Sequence, residues 1–134
     1  MLLTIDSSVW VAAFMGESHA DKADTLVREC LRGAYQLITP IIVPLEVMAA
    51  VQRQSGDAAF AEEVHELIML LPNSELVELN FVTARLVKAT IAATGLKAND
   101  AFILTVCQES RSHLATFDEE LLARASSSMA RWEW

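Results

Sequence analysis

Only four glycines and three prolines interrupt the 134 residues of the chain, too few for a fibrous or low-complexity polypeptide. Cysteine is scarcer still. Cys30 and Cys107 lie far apart, with no further Cys or His at ligand spacing beside them, which speaks against a disulfide framework and against a zinc site. A reducing, cytoplasmic setting is the expectation. Long apolar runs are missing as well: stretches such as Val9 to Met15 fall far short of the ~20 residues that span a bilayer. The opening Met1-Leu2-Leu3-Thr4-Ile5-Asp6 has neither the positive head nor the apolar run of a signal peptide. No membrane association and no export are therefore expected.

Basic residues are also in short supply. Ten Lys and Arg face 18 Asp and Glu, a net charge of −8, which opposes any general attraction to a polyanion. A nucleic-acid partner would require local Lys or Arg, bound cations, or both. What the chain does have is apolar content: 53% hydrophobic residues and a mean hydropathy of +0.32 are the reverse of a disordered composition. With no internal repeat and no linker, residues 1–134 read as a single domain.

Its pattern alternates. Leu2 to Ile5 suits a buried strand, and Asp6-Ser7-Ser8 supplies capping residues for an apolar helix through Phe14. Ala23, Leu26, Val27, Cys30 and Leu31 mark an amphipathic helix that ends at Gly33. Tyr35 to Thr39 predicts a second strand, and Pro40 and Pro44 bracket the entry to a helix with Glu46 in its first turn. Phe60, Val64, Leu67, Ile68 and Leu71 stripe another helix, with Glu62, Glu63 and Glu66 on its solvated side. Leu76 to Leu79 predicts a third strand, Asn80 caps a helix closed by Gly95, and Asn99 or Asp100 opens the next one. Leu114 to Phe117 predicts a fourth strand, followed by Asp118 and a short helix. The tail Arg131 to Trp134 alternates like an edge strand. Strands separated by helices imply right-handed crossovers and an α/β fold with a mainly parallel central sheet flanked by helices in three layers.

In such sheets the functional crevice lies beyond the carboxyl ends of the strands. Four acids sit there: Asp6 after the first strand, Glu46 on the helix after the second, Asp100 opening the helix before the fourth, and Asp118 after the fourth. Asp100 shares a helical face with Ile103, Leu104 and Cys107, so it heads a core-facing stripe. Ala49 and Ala50, on the face of Glu46, permit a close helix approach. Each acid also has an ordinary explanation: a helix cap for Asp6, a favourable dipole position for Glu46 and Asp100, a turn for Asp118. A common cleft would replace four coincidences with one cause. Carboxylates that converge repel each other unless cations neutralise them, and an all-oxygen donor set selects Mg²⁺ or Mn²⁺. Such ions support in-line hydrolysis of phosphodiesters.

The segments Leu3-Thr4-Ile5-Asp6-Ser7-Ser8-Val9, Pro44-Leu45-Glu46-Val47, Asn99-Asp100-Ala101-Phe102-Ile103 and Thr116-Phe117-Asp118 together resemble the PIN domain, of the kind found in VapC toxins, over essentially the whole chain. The resemblance implies that Asp6, Glu46, Asp100 and Asp118 form an acidic metal-binding set. It implies that Thr116, and in a lesser role Ser7, orients a carboxylate or water. It further implies a Mg²⁺- or Mn²⁺-dependent endoribonuclease acting on RNA, homodimeric, and held in check by an antitoxin protein. Ser7-Ser8 departs from the Thr-Asn type of pair common after the first Asp. Lys97 and Arg53 are the candidate phosphate contacts.

Two other readings compete. One is the same fold as a catalytically silent binding or regulatory subunit. The other, a phosphoacceptor receiver domain, needs paired acids after the first strand and a Lys after the last, and the chain has neither. His19, His65 and His113 read as surface or structural, Cys30, Cys107 and Trp10 as core. Trp132 and Trp134 read as a tail tied down by packing or by a subunit interface.

Overall fold

A computed structural model describes residues 1–134. Four parallel strands, β1 (Leu2–Ile5), β2 (Gln36–Pro40), β3 (Ser74–Val77) and β4 (His113–Ala115), are ordered β3-β2-β1-β4. The registers are fixed by Leu3 opposite Leu37 on one side of β1 and by Thr4 opposite Leu114 on the other. The helices are α1 (Ser7–Met15), α2 (Ala20–Leu31), α3 (Ile42–Ser55), α4 (Ala58–Met69), α5 (Phe81–Thr94), α6 (Ala98–Ser110) and α7 (Glu119–Arg124).

This order explains the layers. The chain steps from β1 to β2 to β3 in one direction, so right-handed crossovers put α1 to α4 on one face. It then reverses to place β4 beside β1, and α5 and α6 cover the opposite face. Packing agrees: α1 meets α2 and α3, α3 meets α4, and α6 lies on β1, β2 and β4 with α5 behind it. Residues Ala101 to Cys107 of α6 are all buried, as expected for a helix enclosed by both sheet and helix. The apolar cluster runs from Leu3 to Ala125 and includes Trp10, Cys30 and Cys107. No helix is long and apolar enough to cross a membrane.

The reversal between β1 and β4 is the switch point of the sheet, where two adjacent connections leave in opposite directions and open a crevice. Asp6 and the Thr116–Asp118 segment lie on its two sides.

Several boundaries differ from those the sequence predicts. β3 begins at Ser74, because its pairing of Ile38 with Glu75 and Thr39 with Leu76 is set by backbone register at a half-exposed edge, where apolar content is a poor guide. β4 stops at Ala115. α6 is capped from Lys97, so neither Asn99 nor Asp100 is its cap. Pro44 lies inside α3, which starts at Ile42, and Glu46 stands beyond the first turn. The tail forms a single bridge, Arg131 alongside Leu114, with Trp132 N–H donating to the Leu114 carbonyl at 2.9 Å.

Candidate functional site

Asp6 leaves β1 at the N-cap position of α1, yet its side chain makes no capping bond. Instead the Ser8 hydroxyl donates to Asp6 Oδ2 at 2.7 Å, and the Thr116 hydroxyl donates to the same oxygen at 2.8 Å. Ser8 is itself held from the other side of the switch point, and Thr116 by the backbone two residues further along its own segment. Phe117 N–H donates to Ser8 Oγ at 3.1 Å, and Asp118 N–H donates to Thr116 Oγ1 at 2.9 Å. Asp6 is 3% exposed. Its Oδ1 receives only a long 3.5 Å contact from Ser7, so that oxygen retains most of its accepting capacity.

The other three acids reach the same place. A cleft of about 490 Å³ is lined by Asp6, Glu46, Asp100 and Asp118, together with Ser7, Ser8, Glu17, Asn99 and Arg53. β1 supplies the first acid, α3 the second, the opening turn of α6 the third and the start of α7 the fourth. Asp118 has divided duties, because its Oδ1 accepts from Leu121 N–H at 3.1 Å and caps α7. The capping explanation offered for Asp6 is therefore incorrect, and Asp118, expected as a turn residue, is the acid that caps a helix.

Glu46 is the least compensated group. Its Oε1 is buried with no hydrogen-bond partner. Burial pushes its carboxyl above the usual range, and the charges of Asp6 and Asp100 push it further, against a smaller opposing effect of Asn99 and Ser7. Asp100 is raised for the same reason, first by burial and then by Asp118 and Asp6, with Lys97 opposing. A buried acceptor without a donor costs on the order of 1–3 kcal/mol, and like charges in one cleft add to that cost. A hard divalent cation removes both penalties, so the donor set fits Mg²⁺ or Mn²⁺. As the side chains stand, no three of the His, Cys, Asp and Glu groups close around a point that could hold an ion. The carboxylates share a cleft without enclosing its centre.

Sequence reasoning named four acids that line one cleft and a Thr116 that donates to Asp6, but assigned to Ser7 the contact that Ser8 makes. It missed Glu17, which follows the left-handed Gly16 (φ +66°) at the end of α1 and turns into the cleft wall. Only a Gly-Glu pair in a loop marks that position. It also missed the packing of His19 on Phe117 at 4.7 Å between ring centroids.

Residues 3–126 match the family model described as PIN domain. No curated protein matches the chain by sequence. The fold is similar to that of VapC20 from Mycobacterium tuberculosis, described as a sarcin-ricin loop cleaving toxin, with 16% identity and a TM-score of 0.75 over 90% of this chain and 93% of that one. It is similar to VapBC2 from Rickettsia felis, described as bound to a DNA fragment from their promoter, with 15% identity and a TM-score of 0.69 over 100% and 99%. A toxin–antitoxin complex from Klebsiella pneumoniae shows 21% identity and a TM-score of 0.63 over 90% of both chains.

Proposed function

The chain belongs to the PIN domain family, and from that premise we propose that it is a Mg²⁺- or Mn²⁺-dependent endoribonuclease, the toxin of a toxin–antitoxin pair. The observation that carries the proposal is the meeting of Asp6, Glu46, Asp100 and Asp118 in one cleft, with Glu46 Oε1 buried and unpartnered there. These four side chains would hold the metal. When bound, a divalent ion neutralises the cleft, lowers the pKa of water and stabilises charge on the leaving oxygen of a phosphodiester.

The chain's own residues prepare that chemistry. Ser8 and Thr116 fix Asp6 from opposite sides of the switch point and leave Oδ1 directed to its task. Asp118 is positioned by the same Thr116 and by its place at the start of α7. Arg53 is the one Lys or Arg lining the cleft, suited to receive a phosphate flanking the scissile bond. Lys97, beside Asp100, is the second such group. The cut would leave a 5′-phosphate and a 3′-hydroxyl.

An antitoxin partner is supported by the names of the structural relatives and by α4, where Leu67 and Leu70 are exposed beside Glu62, Glu63 and Glu66. That apolar seat with an acidic rim suits a basic amphipathic helix. A homodimer is supported by exposed Leu79, Phe81 and Val82 at the start of α5. Unpaired Cys30 and Cys107 accord with a reducing cytoplasm.

One observation favours a second reading, a catalytically silent subunit: the carboxylates do not close on a common point. Cleavage separates the two. Pure protein is expected to cut an oligoribonucleotide with Mn²⁺ and to stop with EDTA, and Asp6→Ala and Asp100→Ala are each expected to lose at least about a hundredfold in rate with the fold intact by circular dichroism. Cleavage unchanged in both variants, or no cleavage by the unaltered chain, contradicts the nuclease reading.

A further inference from the structure

Three rings lie in one stack at the side of the cleft. His19 packs on Phe117 with centroids 4.7 Å apart and planes at 20°, and Phe117 packs on Trp134 at 4.2 Å and 26°. Phe117 lies between Thr116, which holds Asp6, and Asp118, which lines the cleft. Glu17, two residues before His19, lines the cleft as well. The stack is therefore continuous with the acidic site on two separate segments of chain.

Ordinary core packing does not account for it. Phe117 is half-buried, but His19 and Trp134 are exposed, Trp134 by 40%. His19 is held at φ +68°, a left-handed conformation uncommon outside glycine. Trp134 is delivered by the tail, which is pinned to β4 by the Leu114–Arg131 bridge, while Trp132 packs edge-on at 5.3 Å against Tyr35, just before β2. The tail is thus anchored before it reaches Phe117, and the Trp134 contact is not required to hold it.

We propose that the His19–Phe117–Trp134 stack is a platform for an unpaired nucleobase of the RNA whose backbone enters the acidic cleft. The charge balance makes such a site useful. At −8 the chain repels a polyanion overall, and Arg53 alone lines the cleft as a cation. Stacking on aromatic faces supplies affinity without positive charge and tolerates any base. The outer rings, His19 and Trp134, are exposed, and the proposed base, flanking the scissile phosphate, continues the stack on one of them. The site would then favour single-stranded RNA or a loop with splayed bases over a continuous duplex, whose bases are already stacked.

The inference rests on the ribonuclease reading of the cleft, and the test separates the two. Trp134→Leu keeps an apolar side chain without the flat ring. His19→Asn keeps a residue that tolerates the left-handed backbone. Binding of an unstructured oligouridylate, and of the same oligomer with one abasic ribose, is measured in an Asp100→Asn background, alongside KM and kcat for the chain with Asp100 restored. Each ring variant is expected to weaken binding of the base-bearing oligomer about tenfold and to raise KM with little change in kcat. The oligomer whose abasic position meets the platform is expected to bind weakly to every form. Unchanged binding in both variants, or an equal loss for both oligomers, overturns the platform even where cleavage is robust. A chain that cleaves nothing with Mn²⁺ yet discriminates the base through these rings supports the platform and overturns the nuclease reading instead.

Discussion

Glu46 is the least compensated carboxyl of the cleft. Its oxygen is buried without a donor, and its carboxyl is raised by burial and by Asp6 and Asp100. A carboxyl whose pKa is higher in the folded than in the unfolded chain contributes stability at low pH that is lost as pH rises through the folded value. Glu46→Gln removes that loss. The melting temperatures of the Gln variant and the unaltered chain should therefore coincide near pH 4 and diverge toward pH 7. By pH 7 the variant should be the more stable of the two. Saturating Mn²⁺ should reverse the order, because only the unaltered chain gains from the ion. A gap that fails to widen with pH, or no reversal with Mn²⁺, contradicts this role for Glu46. Burial first, and Glu29 second, likewise push the Cys30 thiol up to about 12, so it stays protonated and inert in the core.

At the scale of the element, each acid depends on where its helix or strand begins. α7 shows this most plainly, because Asp118 both faces the cleft and accepts the Leu121 N–H. Asn caps a helix as well as Asp does. Asp118→Asn is thus expected to keep the melting temperature and lose metal-dependent cleavage, whereas Asp118→Ala should lose cleavage and about 1 kcal/mol of stability. Equal cleavage by the Asn variant and the unaltered chain would leave Asp118 a cap only. Sequence periodicity located β1 and α5 closely, since a buried apolar run and the Asn80 and Gly95 caps are local signals. It located Asp100 through the apolar stripe beneath it, which lies in the fully buried part of α6. It misplaced β3, an edge strand whose register comes from hydrogen bonding to β2, and it put Glu46 a turn too early because Pro44 reads as a helix start and is instead inside α3. The Thr116 contact on Asp6, the Phe117–Ser8 bond and the packing of His19 on Phe117 join residues about a hundred positions apart along the chain. No window of sequence contains them.

For the whole molecule, the strand order β3-β2-β1-β4 is what turns separate motifs into a site. The reversal between β1 and β4 sets Asp6 opposite Thr116 and Asp118, the α6 layer brings Asp100 to the same end, and α3 brings Glu46 from the other face. The cost is concentrated negative charge in a chain already at −8, which a bound divalent cation would relieve in the proposed nuclease. Diffraction from crystals soaked in Mn²⁺, recorded with anomalous signal, tests this most directly. The account predicts at least one peak among the carboxylates of Asp6, Glu46 and Asp100, with Glu46 Oε1 turned toward it, and loss of that peak in Asp100→Asn. A cleft without anomalous density, with Mn²⁺ only at surface acids such as Glu62 and Glu66, would contradict it.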